Sequence, residues 1–107
     1  MTPEVLRTLP SAKALSLPLQ ALWHDAQGDW DQAHAVCQSA GNRDGDWVHA
    51  YLHRKEGDLA NAGYWYARAR RSQPPASLSL ADEWTLLTGE LLRANQCPTG
   101  KSEPDST

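Results

Sequence analysis

The stretch that decides the fold covers residues 47–69 and reads WVHAYLHRKEGDLANAGYWYARA. It contains two of the five tryptophans, all three tyrosines and two of the four histidines. Gly57 and Asp58 divide it, because the pair makes a turn and the aspartate caps the helix that follows. The second half places four residues on one helical face, which is predicted to face the core, namely Leu59, Ala62, Tyr66 and Ala69. The stretch therefore predicts a helical hairpin.

A weaker copy of this pattern lies 29 residues upstream, where Gly28 aligns with Gly57. Matches at one fixed offset, with the same helix–glycine–helix order, indicate a helical repeat. Alanine at the matched places lets two antiparallel helices approach closely. The aligned pairs are Ala21 with Ala50, His24 with His53, Asp29 with Asp58, Ala33 with Ala62 and Ala40 with Ala69.

The remaining segments complete an all-α chain of about five helices. A short helix can begin at Thr2-Pro3-Glu4, and the upstream hairpin covers about residues 17–40. In the second hairpin, Asp46 is the predicted cap of the helix from Trp47 to Glu56. A C-terminal helix from Ser77 or Ser79 to about residue 95 covers the last exposed face. Residues 1–95 thus form one predicted domain, and residues 96–107, which lack apolar periodicity, are predicted to be a disordered tail.

Composition excludes several classes of protein. The net charge of −3 provides no basic excess for a phosphate backbone, so nucleic acid is not an expected partner. The chain lacks a signal-peptide pattern and any run of eighteen apolar residues, so a cytoplasmic protein that does not contact a membrane is expected. Its two cysteines, Cys37 and Cys97, are not expected to pair. No cofactor is indicated.

The paired pattern over residues 17–75 resembles the tetratricopeptide repeat. The second unit matches that family's small residues, its glycine–aspartate turn and its closing proline at Ala50, Gly57-Asp58-Leu59, Ala62, Tyr66, Ala69 and Pro74. The chain departs from the family at His49 and His53, and its offset of 29 is shorter than the family's period of about 34 residues. Residues 47–58 are also similar to a block found in small bacterial proteins. The repeat resemblance implies stacked hairpins that bind a peptide or a partner helix in a groove.

The leading functional hypothesis is accordingly a small interaction module whose partner is a protein, a peptide or a second copy of the chain. Tyr64, Trp65 and Tyr66 point in successive directions on one helix, so they cannot all face the core. Aromatic and arginine side chains are typical of interaction hot spots. Five positions that the repeat leaves unexplained form the candidate groove: His49, Arg54, Tyr64, Trp65 and Arg68.

The alternative is a metal- or small-ligand-binding protein, or an enzyme, that uses His49, His53 and Glu56. Histidines four residues apart share one helical face, and Glu56 lies one turn further along. Two observations favour structural histidines instead. His24 is the repeat counterpart of His53, and Ala50 stands where a zinc protease motif has glutamate. No serine or cysteine lies in a recognisable nucleophile pattern, so no catalytic residue is predicted and enzyme activity is not favoured.

Overall fold

A computed structural model describes the backbone of residues 1–96 and the side chains of residues 1–94. These residues form α1 (Pro3–Arg7), α2 (Leu17–Ala26), α3 (Trp30–Ala40), α4 (Arg43–Glu56), α5 (Leu59–Ala69) and α6 (Leu80–Gln96). No strand occurs in this part of the chain, which confirms the predicted all-α class with six helices in place of about five. None of these helices has the length and apolar character needed to cross a membrane. Gln96, the first residue of the predicted tail, is the last residue of α6, and the rest of that tail, residues 97–107, lies outside the described residues.

Two helical hairpins, α2–α3 and α4–α5, are closed by turns of the same kind. The side chain of Asp29 accepts a hydrogen bond from the backbone of Gln32 at the start of α3, and Asp58 accepts one from Asn61 at the start of α5. Gly57 ends α4 with a φ of +91°, a backbone conformation that side chains with a Cβ disfavour. Both predicted glycine–aspartate turns are therefore confirmed.

The corner between the hairpins differs from the prediction. The fourth helix begins at Arg43, and its cap is Asn42, whose Oδ1 accepts a hydrogen bond from the backbone of Gly45 at 2.8 Å. The predicted cap Asp46 is wrong, because it lies inside the first turn. Gly45 permits the tight corner, since a Cβ there would lie 2.6 Å from the Cβ of Ala40. Glycine at this position therefore allows α3 and α4 to pack closely.

The sixth helix covers the side of the protein where α2 and α4 lie together. Trp84 is buried there and donates its indole N–H to the backbone oxygen of Leu22 at 3.0 Å. Leu87 and Leu91 are buried as the helical spacing predicts. The prediction that Leu59 faces the core is wrong, because this side chain is 58% exposed. The covering helix thus closes the core over the first helices of both hairpins.

The other side of α4 forms the floor of a trough, here called the α3–α5 groove, whose walls are α3 and α5. Tyr51 and Arg54 point from α4 toward α2 and α6, where they contact Asp25 and Glu83. Since neighbouring residues of a helix are about 100° apart, His49 and His53 project in nearly the opposite direction. They face the groove, which is where the functional candidates gather.

Candidate metal centre

Three histidines meet in the α3–α5 groove. His34 extends from the α3 wall, and His49 and His53 extend from the α4 floor. The Nε2 atoms of His34 and His49 are 3.0 Å apart, and the rings of His49 and His53 stack with 4.7 Å between their centroids. One nitrogen from each of the three rings lies within 4.8 Å of the others. The cluster therefore presents three nitrogen donors to one small volume.

Two tryptophans stack on two of the three histidine rings. Trp30 stacks on His34 with 4.9 Å between the ring centroids and 9° between the planes. Trp65, from the α5 wall, stacks on His49 at 3.9 Å and 18°. The indole N–H of Trp30 also donates to the backbone oxygen of Leu52 at 2.9 Å, which ties α3 to the turn of α4 that carries His53. These contacts hold the planes of the His34 and His49 rings without a bound ligand.

A carboxylate orients the third ring. Glu56 contacts Nδ1 of His53, so Nε2 is the nitrogen of that ring that faces other partners. Metal-bound histidines commonly donate their second ring N–H to a carboxylate, which sets the tautomer and raises the basicity of the ligating nitrogen. On the far side of the ring, the side-chain amide of Asn61 lies 3.5 Å from Nε2.

The environment favours the neutral form of the His34 and His49 rings. Burial, together with the neighbouring His34 and His53, lowers the pKa of His49 to about 4. Burial also lowers the pKa of His34, assisted by His53. A neutral imidazole has a lone pair available for a metal ion, whereas the protonated ring has none.

One pair of nitrogens, those of His34 and His49, has nearly the spacing of a tetrahedral site. Zinc binds histidine nitrogen at about 2.0–2.1 Å, so two ligands of one tetrahedral ion lie about 3.3 Å apart. The 3.0 Å between His34 and His49 differs from this by a few tenths of an ångström. The longest separation in the cluster, up to 4.8 Å, needs a modest inward movement of a ring. Three imidazole nitrogens suit zinc, copper, nickel or cobalt, whereas magnesium and calcium prefer oxygen.

The nearby thiol is not available as a further ligand. Cys37 is buried, and its sulfur donates to the backbone oxygen of His34 at 3.2 Å. Burial raises the pKa of this thiol to about 12, so it remains protonated at neutral pH. Cys37 is also not among the described residues whose ligand atoms cluster with the three histidines, so the clustered donors are imidazole nitrogens.

A second group of possible ligands shares one residue with the first. His53, Glu56 and Asp58 also offer atoms within 4.8 Å of one another, but both carboxylates are on exposed residues. Asp58 already accepts the capping hydrogen bond of α5. The structure thus brings His49 and His53 together as the sequence predicts, adds His34, and places Glu56 behind His53.

The candidate interaction residues divide between two places. Trp65 and Arg68 lie with His49 around a cavity of about 250 Å³ at the end of the groove near the start of α4. Tyr64 is 55% exposed beside them, and the Arg68 guanidinium lies 5.2 Å from the centre of the Trp65 ring. Four of the five candidates are thus neighbours.

Arg54 is not among them. Its guanidinium donates to Glu83 at 2.7 Å and to the backbone oxygen of Leu78, on the side of α4 that α6 covers. Its side chain is 10% exposed and that of Glu83 is 4% exposed, so this is a buried ion pair.

The sequence reasoning missed His34. A signal was present, because Trp30 and His34 are four residues apart and therefore share one face of α3. That face could not be assigned to the groove without knowing how α3 packs on α4.

Comparison with known proteins adds no relative. The chain matches no protein-family model, no curated protein and no solved structure. The tetratricopeptide resemblance therefore stays a prediction.

Proposed function

We propose that this protein binds a divalent transition-metal ion, with zinc as the reference case, through His34, His49 and His53. The observation that carries the proposal is the convergence of three imidazoles from two helices, one from α3 and two from α4. A structural histidine needs one hydrogen-bond partner for its ring. Here two rings point Nε2 toward each other at 3.0 Å, an arrangement that one metal ion in place of the shared proton would satisfy.

The supporting residues favour the same function. Glu56 occupies Nδ1 of His53, so Nε2 is the nitrogen of that ring that can meet an ion. Trp30 and Trp65 limit rotation of His34 and His49, so little ordering is required on binding. A bound ion would supply a positive charge and would join α3 to α4, and thereby one hairpin to the other.

The direct test is a Co²⁺ titration of tag-free, chelator-treated protein, followed by displacement with Zn²⁺. Wild type should develop the visible absorption of Co²⁺ bound to nitrogen ligands, with one ion per chain, and Zn²⁺ should abolish it. His34→Ala should weaken binding by more than the roughly 10–100-fold typical of losing a residue that supports a ligand. Glu56→Gln should fall within that 10–100-fold range.

The matched control is His24→Ala. His24 is the repeat counterpart of His53, is similarly close to a tryptophan at 5.0 Å, and lies on α2 away from the cluster. This variant should bind Co²⁺ as wild type does. Far-UV circular dichroism checks that each variant is folded. Equal affinity in wild type and folded His34→Ala would exclude the proposed site.

A second candidate function is the binding of a protein or peptide at the other end of the groove. The observation that favours it is the exposed Tyr64, with Arg68 over Trp65 at the edge of the 250 Å³ cavity. Aromatic and arginine side chains at a concave surface are typical of interaction hot spots. The other side of α4, including the buried Arg54, is covered by α6.

Affinity capture with wild type and with the Tyr64→Ala/Arg68→Ala double variant tests this second function. Both residues are exposed, so the double variant should remain folded while it loses its specific partners. Sedimentation of the isolated protein detects a second copy as the partner. An unchanged set of partners, with an unchanged oligomeric state, would eliminate the groove end as a binding surface.

A further inference from the structure

We infer that the carboxamide oxygen of Asn61 is the fourth ligand of the ion held by the three histidines. This inference rests on the proposed metal-binding function and assigns the residue that completes the site. Asn61 extends from the α5 wall of the groove, whereas His34 extends from the α3 wall. The four side chains thus come from three helices, and Asn61 meets the cluster at His53.

The position of Asn61 fits a shared ion. Its side-chain NH₂ lies 3.5 Å from Nε2 of His53, the ring whose Nδ1 contacts Glu56. Two ligands of one tetrahedral zinc ion lie about 3.3 Å apart, given metal–ligand distances of about 2.0–2.1 Å. Half a turn about the terminal torsion exchanges the oxygen and the NH₂ of the carboxamide without changing its shape. The oxygen can therefore face the ion from the same position.

The backbone holds this side chain in place. The N–H of Asn61 donates to Oδ1 of Asp58 at 3.2 Å in the capping interaction that starts α5. Four residues further along the same helix, Trp65 stacks on His49. Asn61 and Trp65 therefore share one face of α5, and that face contacts both histidines of α4.

A fourth protein ligand has a functional consequence. Catalytic zinc sites keep one coordination position open for water or substrate, whereas structural sites are closed by four protein ligands. Three imidazoles and one carboxamide would fill the four coordination positions of a tetrahedral ion. The inference thus assigns a site that holds or stores its ion, and it distinguishes this protein from a metallohydrolase.

The experiment uses Co²⁺-loaded protein and azide as a probe of the open position. Asn61→Ala should leave the ion bound but expose the fourth position, so azide should change its visible spectrum at a concentration at least tenfold lower than in wild type. Asn61→Asp should bind Zn²⁺ at least tenfold more tightly than wild type, because a carboxylate is an anionic ligand for zinc. Asn61 is partly exposed in the first turn of α5, so both variants should fold.

The azide and zinc results distinguish an error in the fourth ligand from an error in the three-histidine site. If wild type binds Co²⁺ but takes up azide as readily as Asn61→Ala, Asn61 only orients His53, and the inference is overturned while the three-histidine site stands. The same conclusion follows if Asn61→Asp binds Zn²⁺ no more tightly than wild type. If wild type does not bind Co²⁺, the three-histidine site and the Asn61 ligand are both overturned.

Discussion

Replacing Glu83 by alanine is expected to lower the free energy of unfolding by about 3–5 kcal/mol, the usual result of removing one partner of a buried ion pair. The carboxylate accepts hydrogen bonds from the Arg54 guanidinium at 2.7 Å and from the hydroxyl of Tyr66. Its loss would leave a buried positive charge with only backbone oxygens as partners. It would also remove the partner of the Tyr66 hydroxyl.

Urea denaturation followed by far-UV circular dichroism measures this effect. Glu90→Ala is the matched control, because Glu90 also pairs with an arginine of the described chain, Arg93, but both side chains are substantially exposed. Exposed pairs contribute about 0–1 kcal/mol, so this control should change stability little. A loss below 1 kcal/mol in Glu83→Ala would mean that water reaches Arg54. In that case, Arg54 would again be a candidate for binding a partner.

Zinc is expected to raise the stability of the wild-type protein by about 4 kcal/mol at a free concentration 1,000 times its Kd. For a domain of this size, that corresponds to a rise in Tm on the order of 20 °C. The physical reason is that the ligands come from α3 and α4 and converge only in the folded state. Differential scanning calorimetry with and without Zn²⁺ measures the shift, and Mg²⁺ should produce none.

His34→Ala gives this experiment its internal control. The ring is half-buried, so its removal should change the Tm of the metal-free protein modestly while it abolishes most of the zinc-dependent rise. His24→Ala should retain the full rise. A rise as large in His34→Ala as in wild type would place the zinc elsewhere on the chain.

The fold was predictable where local chemistry determines it. Glycine and aspartate at 28–29 and 57–58 mark both hairpin turns, and the structure has the capping hydrogen bonds that these residues predict. The start of α4 was not predictable in the same way, because Asn42 and Asp46 are both good caps and only packing against α3 selects the earlier one. Leu59 was misplaced because it follows the helical period but lies in the first turn, beyond the neighbouring helices.

The candidate site was predictable only within single helices. The four-residue spacing of His49 and His53 implies a shared face, and the structure confirms that their rings are neighbours. Residue spacing within one helix could not predict His34 as part of the site. Its position beside His49 depends on the close approach of α3 and α4 at Gly45. Nor could spacing show that Arg54 turns toward α6, because its carboxylate partner lies 29 positions away in sequence.

The hydrogen bond from Trp84 to Leu22 joins residues 62 positions apart, and this separation has a consequence for biosynthesis. The ribosome synthesises the chain from its N-terminus. Both hairpins, with every histidine of the groove, are complete before α6 has been made. At that stage, the apolar surface around Leu22 is still uncovered, and Arg54 still lacks its carboxylate. An ion captured by the nascent chain would hold the hairpins together until the last helix arrives.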